Sequence, residues 1–349
     1  MISGAAMLAF GGAVGMGIGA PLKRHVLKKD SQLFTEPEFL LGTFFMTWVS
    51  SVILLIPLWS LFGGKILVEN PTVFWGAMFF WFVANVGVQT SNLFAAKYAD
   101  VSLVLPYQAM TPGLLTLVVF LIGERPSAWG YLGIATIAIG TYIHGRLGAK
   151  TIWAYLIPLW RLLFLPGNYE VLDDSAKQKA RDEQKGVRFA FVSALCGTFG
   201  LLGEAMMARH GNPAFGLSGG MILLTLFSVA WYFVMTRRGK PIQPLPPLRE
   251  RLLRHRKWLV FAGIFMSMAC FLPMIANRLA PIAYVGTLKR LAIPLGIFVA
   301  ARWFRERVPM GRWITTLVIT SGAMILVLDD TPAKIFDFLE HLLGDTSHG

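Results

Sequence analysis

The chain has 349 residues, 55% of them hydrophobic and 15% charged, with a formal net charge of +13 and a mean hydropathy of +0.58. That balance is too apolar for an ordinary soluble domain, and the basic residues gather between apolar runs, which points to loops beside anionic lipid and not to nucleic-acid binding. Two cysteines, Cys196 and Cys270, stand apart with no CxxC or Cys/His spacing, so neither a disulfide framework nor a metal site is indicated and no cofactor is expected.

A spanning helix needs about 20 mostly apolar residues. On that rule ten runs are predicted: 2–21, 39–62, 73–94, 101–122, 127–145, 187–208, 214–236, 258–276, 281–301 and 312–328. The first starts at Met1 with no basic n-region and is followed by Lys23, Arg24, Lys28 and Lys29, which fits a first transmembrane helix better than a cleaved signal. Its "FGGAVGMGIGA" has no preceding strand and no Gly-Lys-Ser/Thr, so the glycines are read as close helix contacts and not as a phosphate loop. On the third run, Asn85, Gln89 and Asn92 recur at spacings of four and three, one polar face that should meet protein or a water-filled cavity. Short links at 95–100 and 123–126 imply antiparallel hairpins, with Glu124 and Glu306 at two equivalent turns as structural clamps.

The connection 146–186 is polar, and within it "IWAYLIPLWRLLFLPG" (152–167) suits an interfacial segment better than a span. The sixth run carries Glu204, the one carboxylate inside a predicted span. Three roles stand open for it: proton coupling, a salt bridge with Arg209 near the helix end, or a pair with a cation further along the chain. The link 237–257 is Pro-rich and then basic, an expected strap followed by a short surface helix. His144 and His210, at run ends and without ligand spacing, are read as interfacial; residues 329–349 form a surface tail.

The ninth run holds the adjacent pair Lys289 and Arg290, eight or nine residues in from Pro281, a depth of roughly 12–14 Å at the helical rise. A charge near the bilayer centre costs at least roughly 2.5–3.5 kcal/mol, so the pair either contacts substrate or is neutralised by a carboxylate. Tyr284 and Thr287 lie nearby as further candidates for contacts.

Residues 102–143 and 284–326 align at a shift of 182, so that Pro112 meets Pro294, Glu124 meets Glu306 and Gly140 meets Gly322. Tyr107 and Gln108 then occupy the places of Lys289 and Arg290 and join Asn85, Gln89 and Tyr284 as substrate-binding candidates. Two copies of five helices follow: 1–145 and 187–328. Because five is odd, the second copy enters from the opposite side, an inverted repeat of the kind that builds alternating-access carriers.

The hairpin "AAKYADVSLVLPYQAMTPGLLTLVVFLIGERPSAWGYLGIATIAIGTYI", answered in the second half by "RERVPMGRW", resembles the end of an EamA domain, the repeat unit of the drug/metabolite transporter superfamily. The resemblance implies an all-α polytopic membrane protein of ten helices and a secondary carrier, not an enzyme, acting on a small-molecule substrate in contact with membrane lipid. "VGTLKRLAIPLGIFVAARWF" is similar to the ninth helix of the nucleotide-sugar and triose-phosphate transporter branch, which implies that Lys289 and Arg290 hold a phosphate or other anionic group. The F-Y-N-N-like step of the nucleotide-sugar branch is absent from run 214–236. "GAPLKRHVLKK" is similar to the first loop of rhamnose-type sugar–proton symporters, which implies a neutral sugar and protons or a counter-substrate. A non-transporting scaffold is the third reading. The basic loops 22–38, 146–186, 237–257 and 302–312 all fall on one side, which the positive-inside rule makes cytoplasmic, with both termini external in a cell inner membrane. That orientation agrees with the rhamnose-type branch and departs from the better-known EamA and nucleotide-sugar members.

Overall fold

The structure is a computed structural model and describes residues 2–28, 36–98, 110–123, 125–145, 173–238, 248–303 and 310–328. Among the described residues the chain is helical: α1 (Ile2–Lys28), α2 (Glu36–Phe62), α3 (Pro71–Tyr98), α4 (Thr111–Leu121), α5 (Ala128–Gly145), α6 (Asp174–His210), α7 (Pro213–Arg238), α8 (Leu248–Ala276), α9 (Ile282–Leu288), a 3₁₀ turn at Lys289–Leu291, α10 (Ala292–Trp303) and α11 (Met310–Leu328). Five stretches are long and apolar enough to cross a membrane, namely Pro71–Asn92, Asp174–His210, Pro213–Val234, Leu259–Ala276 and Ile282–Val299, and five shorter apolar helices accompany them.

Three elements differ from the sequence expectation. α6 begins at Asp174, so 13 residues assigned to the connecting loop are helical; Asp173 caps them by accepting from the Ala176 N–H at 3.2 Å, and such a cap satisfies one of the four donors that every helix start leaves open. The surface helix expected before run 258–276 is continuous with it as α8. The ninth run is broken in its middle by the 3₁₀ turn.

α1 packs on α8 and on the α9–α10 segment, α2 on α7 and α8, α3 on α6 and α7, α4 on α6 and α9, and α5 on α11. Small residues set the closest crossings. A Cβ on Gly15 would stand 2.6 Å from the Phe265 carbonyl oxygen of α8, and one on Gly133 or Gly322 would stand 3.0 Å from the carbonyl oxygen of the other. Among the described residues the interior holds two large apolar clusters and a small third of Ala95, Val187 and Ala190. Of the large two, one gathers Ala9, Leu115, Ile137, Tyr284 and Ile319; the other Leu54, Phe74, Trp81, Met221 and Met274. α6 serves both, giving Ala205 to the first and Met207 with Ala208 to the second.

Polarity is distributed inside out. Trp59, Phe79, Leu117, Leu226 and Leu317 face outward, largely exposed, while Thr47, Ser50, Thr225 and Ser267 are buried. Thr47 bonds Thr225 hydroxyl to hydroxyl at 2.9 Å, and Ser50 donates to the Gly263 carbonyl at 2.9 Å. An outer surface this apolar suits hydrocarbon, and buried hydroxyls in such a setting hold helices together.

The α2–α3, α6–α7 and α8–α9 turns are stitched at one end. Asn212 donates through its backbone N–H to Leu67 O at 2.9 Å and through Nδ2 to Lys65 O at 3.0 Å, and the Glu69 N–H donates to His210 O at 3.0 Å. Two arginines then cross. Arg209, in the last turn of α6, donates Nε to the Asn277 carbonyl at 3.0 Å; Arg278, just past α8, donates Nε to the Ala208 carbonyl and Nη2 to Gly211 O at 3.0 Å. Each helix thus supplies the cation that satisfies the other's orphan C-terminal carbonyls.

Candidate functional site

The break in the ninth run follows from Pro294. A proline inside a helix cannot donate to the carbonyl four residues back, here Arg290, and its ring crowds that carbonyl. The chain responds by tightening, and the Ala292 N–H donates to the Lys289 and Arg290 carbonyls. Mid-helix 3₁₀ geometry of this kind marks strain or a hinge. Both cations sit in this turn.

Lys289 reaches across to α6. Its Nζ lies 3.0 Å from Glu204 Oε1 and 3.1 Å from Oε2, with the two side chains 13% and 6% exposed. Of the three roles open to Glu204, the geometry therefore includes a pair with a cation on the ninth run. Arg290 is part-buried, and among the described residues it has neither a carboxylate nor a hydrogen-bond partner. Two residues before the pair, Thr287 is fully buried and its hydroxyl has no partner among the described residues. Cys270 on α8 lies within electrostatic reach of both Glu204 and Lys289.

The remaining candidates fall in three groups. Tyr284 is 3% exposed and its hydroxyl accepts the Ser127 N–H at 3.3 Å, which seats it in the apolar cluster against the start of α5. The amide stripe of α3 runs along α6: Asn85 donates Nδ2 to its own helix at Trp81 O (2.9 Å), Asn92 accepts from Ser193 at 2.8 Å, and Gln89, between them, is half-buried. Tyr107, Gln108, Glu124 and Glu306 lie outside the described residues, as do 152–167 and 329–349.

Sequence reasoning did not find the crossed arginines or the placement of Cys270. Arg209 had been weighed only as a partner of Glu204, and a thiol in the middle of an apolar run carries no signal of the charges that another helix brings to it.

A metal is not suggested by the side chains: among the described residues no group of three His, Cys, Asp or Glu could hold one. No family model matches the chain, and no curated protein matches it in sequence. A solved crystal structure of a protein superposes with a TM-score of 0.66 at 14% identity, covering 93% of this chain and 96% of its own. At that identity the likeness speaks to the fold alone: the whole arrangement of helices, end to end, is one that a solved protein adopts.

Proposed function

We propose that the chain is a polytopic membrane protein that works as a secondary active transporter, moving a small polar, anionic organic metabolite by alternating access. The observation that carries this reading is the charge cluster itself. Arg290, a cation without a partner among the described residues, stands beside the Glu204–Lys289 pair at a break inside a membrane-length helix. An uncompensated guanidinium at such depth is costly unless a ligand anion completes it, and its planar fork suits carboxylate or phosphate.

The packing scheme supports two inverted five-helix repeats. Exchanging α1–α5 with α6–α11 turns the α1–α8 pair into α6–α3 and the α2–α8 pair into α7–α3, and leaves α2–α7 and α5–α11 as they are. The same exchange relates α1 on the α9–α10 segment to α6 on α4. Rocking of one half against the other is the motion such symmetry permits, and the hydrogen bonds that join the α6–α7 turn to the α2–α3 turn, at Asn212 and His210, are where one end would have to part.

Glu204 favours a second reading, a neutral sugar carried with a proton, because a membrane-embedded carboxylate is the usual proton carrier in symporters. Uptake into proteoliposomes separates the two. Wild type, Lys289→Ala and Arg290→Ala are offered carboxylates, phosphate monoesters and neutral sugars. Anion uptake by wild type that both substitutions reduce is the expected result. Undiminished anion uptake in both variants refutes docking at the pair, uptake of sugars alone selects the second reading, and no uptake of any solute by wild type refutes transport.

A further inference from the structure

Resting on the reading of this cluster as an anion site, we propose that Glu204 is an internal stand-in for substrate charge: it occupies Lys289 in the empty carrier, is displaced by the second negative charge of a dianionic ligand, and takes up a proton when displaced.

Charge arithmetic decides the class of ligand. Glu204, Lys289 and Arg290 sum to +1 in the empty site, and Lys289 is already held by both carboxylate oxygens at 3.0 and 3.1 Å. A monoanion on Arg290 brings the sum to zero and leaves the ion pair closed. A dianion on the closed pair gives −1, an excess charge that the buried setting penalises. If the pair opens, Lys289 and Arg290 face the two ligand charges, and Glu204 is left as a buried carboxylate without a counter-ion. One proton from solution on Glu204 restores the sum to zero. One ammonium–carboxylate contact is broken, one ammonium–ligand contact is made, one proton is bound.

The geometry allows the exchange. Lys289 opens the 3₁₀ turn with its own N–H still bonded to the Val285 carbonyl, so the exchange falls to its flexible four-carbon side chain, which can carry Nζ away from Glu204 with the backbone in place. Thr287, two residues earlier, holds a buried hydroxyl without a partner among the described residues. The other titratable or charged groups around Glu204 are few. Cys270 on α8 lies within electrostatic reach of the pair, Arg209 lies on the same helix as Glu204 but donates to Asn277 O, and Tyr284 on α9 is engaged at Ser127. At this level α3 brings Trp81 and Ala77 against Gly203 and the neutral amide of Asn85 against Gly200. The ligand class is therefore a compact molecule with two negative charges, a phosphate monoester or a dicarboxylate.

The test is calorimetric binding to purified protein in lipid nanodiscs at pH 7.5, in two buffers of different ionisation enthalpy, which reads protons taken up per ligand bound. The probes are glycerol 3-phosphate and succinate as dianions and lactate as the monoanion. Wild type should take up one proton with either dianion and none with lactate. Glu204→Gln should take up none and bind the dianions roughly tenfold more tightly, about 1.4 kcal/mol, because the internal competitor is gone. Dianion binding to wild type without proton uptake, or undiminished uptake in Glu204→Gln, overturns the proposal and leaves the anion site standing. The wild-type arm decides even if the variant does not fold. Binding of none of the three anions to wild type overturns the anion site itself.

Discussion

Removing either member of the Glu204–Lys289 pair should cost far more than removing both. At 3.0 Å and an effective dielectric of 20, two unit charges attract by about 5.5 kcal/mol. Desolvation of two groups this buried consumes most of that gain, so the net worth of the pair is small. The single variants do not share this balance: Lys289→Met strands a carboxylate and Glu204→Leu strands an ammonium, each with a destabilisation of about 3–5 kcal/mol. The double variant buries two apolar side chains of similar length and should lie within about 1 kcal/mol of wild type, giving a coupling energy of several kcal/mol. Reversible unfolding in mixed detergent micelles, followed by tryptophan fluorescence, measures all four corners of the cycle. If the single variants unfold within about 0.5 kcal/mol of wild type, or if the double variant equals the sum of the singles as independent sites do, the pair is not the buried, mutually compensating contact described here.

Arg290→Gln removes an uncompensated guanidinium and should raise stability by up to about 2.5–3.5 kcal/mol, while anion uptake falls at least about tenfold; Arg290→Lys, which keeps the charge but not the fork, should fall between wild type and Arg290→Gln in uptake. Arg278→Ala removes a charged donor from the Ala208 carbonyl of α6 and the Gly211 carbonyl just beyond it and should destabilise by about 1.5–3 kcal/mol, measured by the same unfolding. In a Cys196→Ala background it should also speed labelling of Cys270 by a membrane-impermeant maleimide added on the side of the termini. Equal labelling rates would remove the crossed arginines as a barrier. Gly15→Val should lower the unfolding midpoint sharply, because a Cβ there meets backbone at 2.6 Å, whereas Gly76→Ala, with nothing within 4 Å, should be neutral or stabilising by up to about 1 kcal/mol. Accessibility of a tag at each terminus in intact cells should place both outside, as the basic loops require.

Apolar run length alone located most of the helices, because membrane-length hydrophobicity needs no tertiary context to be read. It failed where composition changes without a change of backbone. Charged residues 174–186 were assigned to a loop, yet Asp173 caps a helix that simply continues outward from the apolar part; helix propensity of Lys, Glu, Gln and Arg is high, and only their hydropathy differs. The opposite error fell on the ninth run, where uniform hydropathy hid a break that Pro294 announces. In the site, the depth of Lys289 and Arg290 in the ninth run and the lone carboxylate of Glu204 were visible in the sequence, but which cation takes that carboxylate was not. Neighbours in this turn diverge by about 120°, and the choice between Lys289 and Arg290 is made by how the helix rotates against α6, a quantity set by packing across 85 positions.

Pro112 and Pro294 match between the halves, and each lies at the beginning of a described helix: α4 opens at Thr111 with its proline in the first turn, and α10 opens at Ala292. The matched proline is therefore common to both copies, and a proline inside a helix frees a carbonyl wherever it occurs. The charges are not common to both. The first copy carries Tyr107 and Gln108 where the second carries Lys289 and Arg290, so the matched proline does not of itself require cations before it. What remains to account for them is the partner each one has. Lys289 has Glu204, which itself has no charged counterpart in the first half: the starts of the halves match at a shift of 185, with Gly12, Gly15 and Arg24 on Gly197, Gly200 and Arg209, and that shift places Glu204 on Gly19. Arg290 has no described partner. A purely structural ion pair would need one cation for one carboxylate, and the second cation is the residue that a structural account leaves over.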